Sequence, residues 1–442
     1  MTAFKSAWEF CKANKMFLFA LITIHAVYFF CALHFEGICN GDSDEYLLTA
    51  ENLKYHGEVY NWVWKSKLDP FFYTLRPPLY GVFIFLLKLI WDNDYFVLFV
   101  QNLLSIGNWL LLIHLSRLLK HGYKLELPII ICLLLIPSVL IMVNTIGADW
   151  MLQLWLTVAL YYFTKFMLQG KWSYFAGYNG ALALSVLTKP VMMYFWIPNL
   201  LIGIYFYYRQ RDYKVLVCSL IMPLVVFGWS LRNQQKTGLF HYSSIKVQNI
   251  LDLNAGAVLI KLHGAEVANS VKTTVLLKSE SIGNYAEKCD FIVENATSII
   301  KENPVIYTSL HVKGMLNFML SIGRYDLKNF FNTDLDGKEI SIFKEIEKRG
   351  LLNFIPYYFN SISVWFTAFF LLAFTWNVII LTGLFVICFD KSFPIIIKCF
   401  LLTIIFYSAF VCGPAGDVRF KIAVLSYLLL AVPYFYKKTI SK

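Results

Sequence analysis

Six short stretches of this chain carry charges that apolar sequence does not ask for. The first is Gly41-Asp42-Ser43-Asp44-Glu45-Tyr46. A carboxylate held here can take a proton from a hydroxyl. The structural alternative is a capped helix: Asp42 with Glu45 three residues on resembles a capping box, and acids at a helix start complement its dipole. The second stretch, Leu75-Arg76-Pro77-Pro78-Leu79-Tyr80, opens an apolar run. Arg76 either anchors that run at a membrane interface or binds a phosphate with its fork of donors. The third, Thr145-Ile146-Gly147-Ala148-Asp149-Trp150, holds one acid between two apolar runs, by default a helix N-cap. The fourth, Leu187-Thr188-Lys189-Pro190, holds a lysine that either snorkels or meets a lipid phosphate. Trp229-Ser230-Leu231-Arg232-Asn233 and Gly416-Asp417-Val418-Arg419-Phe420 complete the set. Carboxylates that activate a nucleophile, beside cations that stabilise a departing phosphate, suit group transfer from a lipid phosphate. The eight histidines are scattered without paired spacing, so no metal site and no required cofactor is expected, and dependence on a divalent cation stays open. There is no phosphate-cradling glycine loop and no nucleophile elbow.

These residues must be positioned by membrane helices. The 442 residues are 58% hydrophobic, 18% aromatic and only 15% charged, against about 25% charged in soluble proteins. The mean hydropathy is +0.58. That excludes a soluble globular domain, a disordered chain and a disulfide scaffold, and gives an all-α polytopic membrane protein. At about 20 apolar residues per span, about 10–12 transmembrane helices fit. Apolar runs fall near 16–34, 78–91, 95–116, 126–146, 150–168, 174–188, 190–208, 214–231, 361–389, 394–411 and 420–436. The chain divides into a catalytic membrane module at 1–231 with a polar loop at 36–77, a polar segment at 232–357, and closing membrane helices at 358–442. Within the first loop, 43–56 reads as a short helix on the membrane surface, stopped by Gly57. The first apolar run, following Lys5, Lys12 and Lys15, is long enough to remain as a span.

The net charge of +11 is explained by lysine and arginine at cytoplasmic helix ends, so no nucleic-acid partner is expected. The same rule puts the N-terminus, Lys165 with Lys171, Arg209 to Lys214, Lys391 and the Lys437/Lys438 tail inside. The loops 36–77, 232–357 and 412–419, with Asp149 and Lys189, then face outside. Arg117, Lys120 and Lys124 also vote for inside, which requires one crossing fewer or one more between 77 and 116 than the apolar runs supply. The nine cysteines form no Cys-x-x-Cys; most read as small buried hydrophobes, and Cys39 and Cys289 could face outside and pair. Asn295-Ala296-Thr297 is a glycosylation sequon.

In order, these motifs resemble the GT-C glycosyltransferases that use polyprenyl-phosphate sugars, with protein O-mannosyltransferases and lipid A aminoarabinose transferases nearest in pattern. Asp44-Glu45 is similar to their Asp-Glu pair in the first outer loop, and Arg76-Pro77-Pro78 to their basic residue before proline. Thr145 to Trp150, Leu187-Thr188-Lys189, Trp229 to Asn233 with Gly238-Leu239-Phe240, and Arg419-Phe420 resemble later motifs. Pro190 stands where the family pattern has glycine, and Tyr46 and Leu47 follow the acids where the aminoarabinose transferases carry an arginine. The resemblance implies a GT-C-like helical bundle in a bacterial cytoplasmic membrane, with its active site outside. It implies Asp44 as general base with Glu45 or Asp42 as helper. Arg76, Lys189, Arg232 and Arg419 would hold the donor phosphate, and Asp149, Tyr80 and Asn233 are further candidates. The partners implied are a polyprenyl-phosphate-linked sugar and a glycan, glycolipid or protein acceptor. Two other readings compete. A polysaccharide polymerase or ligase would use a diphosphate-linked glycan. A lipid-linked sugar transporter would place acids within its spans, whereas the charges here sit at span ends.

Overall fold

The computed structural model describes residues 14–119, 124–331, 342–361, 364–391 and 393–435. Lys5, Cys11, Lys12, Lys120 and the tail lysines 437, 438 and 442 lie outside the described residues. The described chain is helical throughout, as the composition requires. Among the described residues, six helices are long and apolar enough to cross a membrane, and four more are shorter and apolar.

The chain opens with α1 (Lys15–Phe35), α2 (Ser43–His56), α3 (Pro78–Ile90) and α4 (Asp94–Leu118). Then come α5 (Glu126–Leu135) and α6 (Ser138–Val143), separated at Pro137, whose ring cannot continue a helix. The bundle continues with α7 (Asp149–Gln169), α8 (Trp172–Thr188), α9 (Pro190–Gln210, entered through a 3₁₀ turn) and α10 (Tyr213–Thr237). The segment expected as a polar loop is itself helical: α11 (Ile245–Asn249), α12 (Gly256–His263), α13 (Ala265–Glu280), α14 (Tyr285–Glu302), α15 (Pro304–Leu320), α16 (Arg324–Phe330), α17 (Ile342–Arg349) and α18 (Leu351–Ser361). It has a small core of its own around Leu251, Val275 and Ile292. Last come α19 (Val364–Phe389), α20 (Ile395–Val411), α21 (Val418–Ile422) and α22 (Leu425–Leu429).

The surface helix forms over the expected residues and stops where Gly57 takes the left-handed conformation at φ 69°. Its start differs from a capping box. Asp42 occupies the N-cap position but makes no side-chain cap, because its carboxylate is taken by arginines instead. Nor is Asp149 an N-cap: Ala148 holds that place and Asp149 opens α7.

The count of crossings between 77 and 116 follows from two contacts. Lys54, in the last turn of α2, reaches Asp92 at 2.8 Å. So the 91–93 turn, which ends α3, lies beside the end of the surface helix. The α3 helix runs parallel to α2 and packs closely on it: a Cβ at Gly81 would stand 2.5 Å from Thr49 Cγ2, and Tyr46 meets Tyr80 edge-on at 4.8 Å between centroids. At 13 residues and 1.5 Å each, α3 spans roughly 20 Å, short of the roughly 30 Å of hydrocarbon. The next helix long and apolar enough to cross is α4. That carries Arg117 to the far end, where it meets Asn14 at 2.6 Å and Glu126 at 2.9 Å.

Candidate active site

At the opposite end of the bundle, three carboxylates and three cations join into one alternating chain. Glu45 accepts from Arg76 Nε. Arg76 Nη2 donates to Asp42 Oδ1 at 2.9 Å, and the other oxygen of Asp42 accepts from Arg419. Arg419 Nε reaches Asp149 Oδ2 at 2.8 Å, and Asp149 Oδ1 takes Lys189 Nζ at 2.5 Å. Asp149, Lys189 and Arg76 are buried, at 2%, 8% and 9% exposure. Charges this far from water persist only when each has a partner, and here the charges balance within the chain.

Each member is positioned by backbone that the surrounding sequence dictates. Arg76 N donates to Asn61 Oδ1 at 2.9 Å, and Asn61 Nδ2 donates to Thr49 on α2 at 2.6 Å. The Arg76 guanidinium lies over the Tyr46 ring, 5.8 Å from its centroid. Below, Tyr80 donates to Gln101 Oε1 at 2.6 Å and accepts from Gly147 N at 2.9 Å. Ser43 Oγ donates to Ile146 O at 2.6 Å, and Ile146 N donates to Ile38 O at 2.7 Å. These bonds zip the first loop to the 144–148 turn, so that Asp42 and Asp149 flank one arginine. Arg419 is fixed from the other side. Asp417 caps Val418 N at 2.5 Å and accepts from Ser321 at 2.7 Å. Gly314 on α15 and the 413–416 turn meet so closely that a side chain on Gly314 would strike the backbone of Gly413, and one on Gly416 the backbone of Gly314.

The chain thus joins six of the residues marked in the sequence: Asp42, Glu45, Arg76, Asp149, Lys189 and Arg419. Tyr80 stands directly beneath. Three others lie apart. Asp44 is exposed in the first turn of α2 and makes no ion pair with a described residue. Arg232, near the end of α10, donates to the Tyr73 carbonyl at 2.6 Å and the Val59 carbonyl at 2.9 Å, with Trp229 under its guanidinium. Asn233 Nδ2 donates to the carbonyls of His241 and Tyr242. Arg232 and Asn233 clamp loops. Ser43, Asn61 and Gln101 are positioning residues that the sequence reading did not single out; Gln101 alone left a signal there, as an amide inside an apolar run. Cys39 and Cys289 are both free thiols. No group of three or more His, Cys, Asp or Glu among the described residues is placed around a metal position.

The two carboxylates of the α2 start differ in electrostatics. Burial alone would raise Asp42, but Arg419, Arg76 and Lys189 outweigh it and hold the carboxyl well below the usual range. For Glu45 burial prevails over Arg76 and its pKa is raised. Asp42 is therefore the stronger acid of the two.

Two cavities flank the chain. One of about 290 Å³ is lined by Asn40, Thr145, Asp326, Asp417, Arg419 and Phe420, among others. A smaller, largely apolar one of about 30 Å³ lies against Asp149 and Lys189, walled by Leu152, Leu156, Met192 and Cys412. The cluster thus stands between a cavity of mixed polar and apolar lining and a largely apolar one.

No protein-family model and no curated protein sequence matches this chain. Among solved structures it is similar to ArnT from Cupriavidus metallidurans in the apo state, with 11% identity and a TM-score of 0.38 over 95% of this chain and 78% of that one. It is likewise similar to the same protein bound to undecaprenyl phosphate, with 10% identity and a TM-score of 0.38 over 93% and 77%.

Proposed function

We propose that this protein is a membrane glycosyltransferase that moves a sugar from a polyprenyl-phosphate donor to a hydroxyl of a glycan, glycolipid or protein acceptor, with inversion. The observation that carries the reading is the alternating chain of Glu45, Arg76, Asp42, Arg419, Asp149 and Lys189 at one end of a helical bundle. Cations held by carboxylates can exchange those partners for phosphate oxygens at little cost, because both are oxyanions with matching geometry. Cations held by backbone carbonyls have no such exchange to make. Arg76, Arg419 and Lys189 therefore bind the donor phosphate, and the lipid end enters from the apolar side of Lys189.

Phosphate binding frees Asp42 from its arginines. The acceptor oxygen attacks the anomeric carbon on the face opposite the phosphate, and its proton passes to Asp42. The bond from the anomeric carbon to the phosphate oxygen breaks, its electron pair leaves with the phosphate, and the cations take up that charge. While the arginines hold it the Asp42 carboxyl is a weak base; their transfer to the phosphate lifts that restraint and makes it a better one. Asp42 replaces Asp44 as the base on the ground of position: Asp44 lies outside the cluster, where its charge complements the α2 dipole.

The far end of the bundle carries Arg117, Lys124, Arg209, Arg211, Lys214 and Lys391, so by charge bias that end is cytoplasmic and the site faces outside, across a bacterial cytoplasmic membrane. The test is expression of wild type and Asp42→Asn in a bacterial host with a donor pathway, followed by mass measurement of surface glycans and glycolipids. A gain of one sugar that requires Asp42 is expected. A gain that persists unchanged in Asp42→Asn removes Asp42 as the base, and no gain from wild type in any donor-competent host contradicts the transferase reading.

A further inference from the structure

We infer that the 290 Å³ cavity beside Arg419 is a pocket for one neutral sugar ring, with Asp326 accepting hydrogen bonds from its hydroxyls. The inference deepens the transferase reading and rests on it for the identity of the ring's carrier.

Three buried polar atoms at the cavity wall have no hydrogen-bond partner among the described residues: Asp326 Oδ2, Thr145 Oγ1 and Asn40 Nδ2. Asp326 is 8% exposed and Thr145 3%. Buried polar groups are nearly always paired, and each unpaired one costs stability. Together they offer an acceptor, a hydroxyl and an amide donor, the set that a polyol with adjacent hydroxyls answers. Phe330 and Phe420 add apolar faces to the same wall, against which a sugar's carbon-bound hydrogens pack.

The charges exclude a second phosphate. Asp326 and Asp417 face a single cation, Arg419, and that cation is already shared by Asp42 and Asp149. An anion would meet net negative charge here. Asp417 commits one oxygen, Oδ1, to Val418 N and Ser321, whereas Asp326 Oδ2 is the acid oxygen buried at this wall without a partner among the described residues. Burial, with Asp417 adding to it and Ser138 and Arg419 opposing, pushes the Asp326 carboxyl up to about 6. Asp326 lies on α16 in the polar segment, outside the sequence motifs, and the mechanism above does not use it.

The test uses full-length protein in detergent micelles and reads saturation-transfer NMR signals from free mannose, glucose, galactose and arabinose. Wild type is compared with Asp326→Asn and Asp326→Leu, and undecaprenyl phosphate binding is followed in parallel by native mass spectrometry. At least one monosaccharide is expected to bind wild type, with affinity lower by roughly tenfold or more in Asp326→Leu and undecaprenyl phosphate binding unchanged. Asp326→Asn keeps the shape, so it guards against a folding failure and is expected to bind the sugar more weakly than wild type. Equal sugar signals in all three proteins, or phosphate binding without any sugar signal, overturn the pocket and leave the phosphate site intact. Asp326-dependent sugar binding without undecaprenyl phosphate binding keeps the pocket and sinks the donor assignment. Finally, the same sugar linked to undecaprenyl phosphate is added. Displacement of the free sugar makes this the donor-sugar pocket; joint binding makes it the acceptor pocket.

Discussion

Arg76 and Arg232 look alike in sequence. Each stands at the edge of an apolar run. In the fold they are different objects. Arg76 spends its guanidinium on two carboxylates, whereas Arg232 spends its own on the carbonyls of Tyr73 and Val59. A guanidinium paired with carboxylates can trade them for a phosphate, and one paired with carbonyls holds a loop in place. What an arginine can do at a membrane face is thus decided by the class of its partners.

Three variants probe that distinction. At Arg419, lysine keeps the charge but loses the fork that joins Asp42 to Asp149, so Arg419→Lys is expected to lower transfer roughly 100-fold. Arg419→Met, which takes that partner from the buried Asp149 and the partly buried Asp42, is expected to cost about 3 kcal/mol of stability; full activity in either protein would break the distinction. Arg232→Met is expected to act the other way round. It leaves two carbonyls without donors and destabilises by about 1–3 kcal/mol, with turnover per folded molecule within a few-fold of wild type. Melting curves alongside initial rates separate the two effects.

The smallest expected change sharpens the contrast from the acidic side. A carboxyl whose pKa rises on folding contributes stability below its unfolded value and loses it as pH climbs through the folded value. For Asp326 that window runs from about 4, its ordinary value, to about 6. The groups facing it are Ser138 on α6, Asp417 and Arg419 before and on α21, and Asp149 on α7. Asp326→Asn removes the buried charge. It is expected to raise the melting temperature at pH 7.5, by on the order of 2–3 kcal/mol of stability, and the gain should vanish near pH 4. A gain that does not vary with pH would mean that the carboxylate is not strained by its burial.

Much of this site was legible because charges in an apolar sequence stand out. Arg76, Asp149, Lys189 and Arg419 each interrupt a run that has no other reason to carry charge, and the fold gathers them. The choice between Asp42 and Asp44 was not legible. Two positions apart at a helix start, they point roughly 200° apart around the axis, and only the packing of α2 on α3 decides which side faces Arg76. The α3 helix posed the same difficulty: its apolar length reads as a short span, and the contact between Lys54 and Asp92 beside its end joins residues 38 positions apart. Asp326 was invisible for the opposite reason. It lies in a polar segment where one more acid carries no signal.

Asp42 and Asp44 differ most in what their loss should do. The measurement is the initial rate of sugar transfer by purified Asp42→Asn and Asp44→Asn, side by side with wild type, at one saturating polyprenyl-phosphate-sugar concentration. Loss of a general base and of the carboxylate that bridges two arginines is expected to slow Asp42→Asn by at least roughly 100-fold, while Asp44→Asn stays within a few-fold of wild type. Rates in the reverse order would contradict the claim that the buried ionic chain is the catalytic centre.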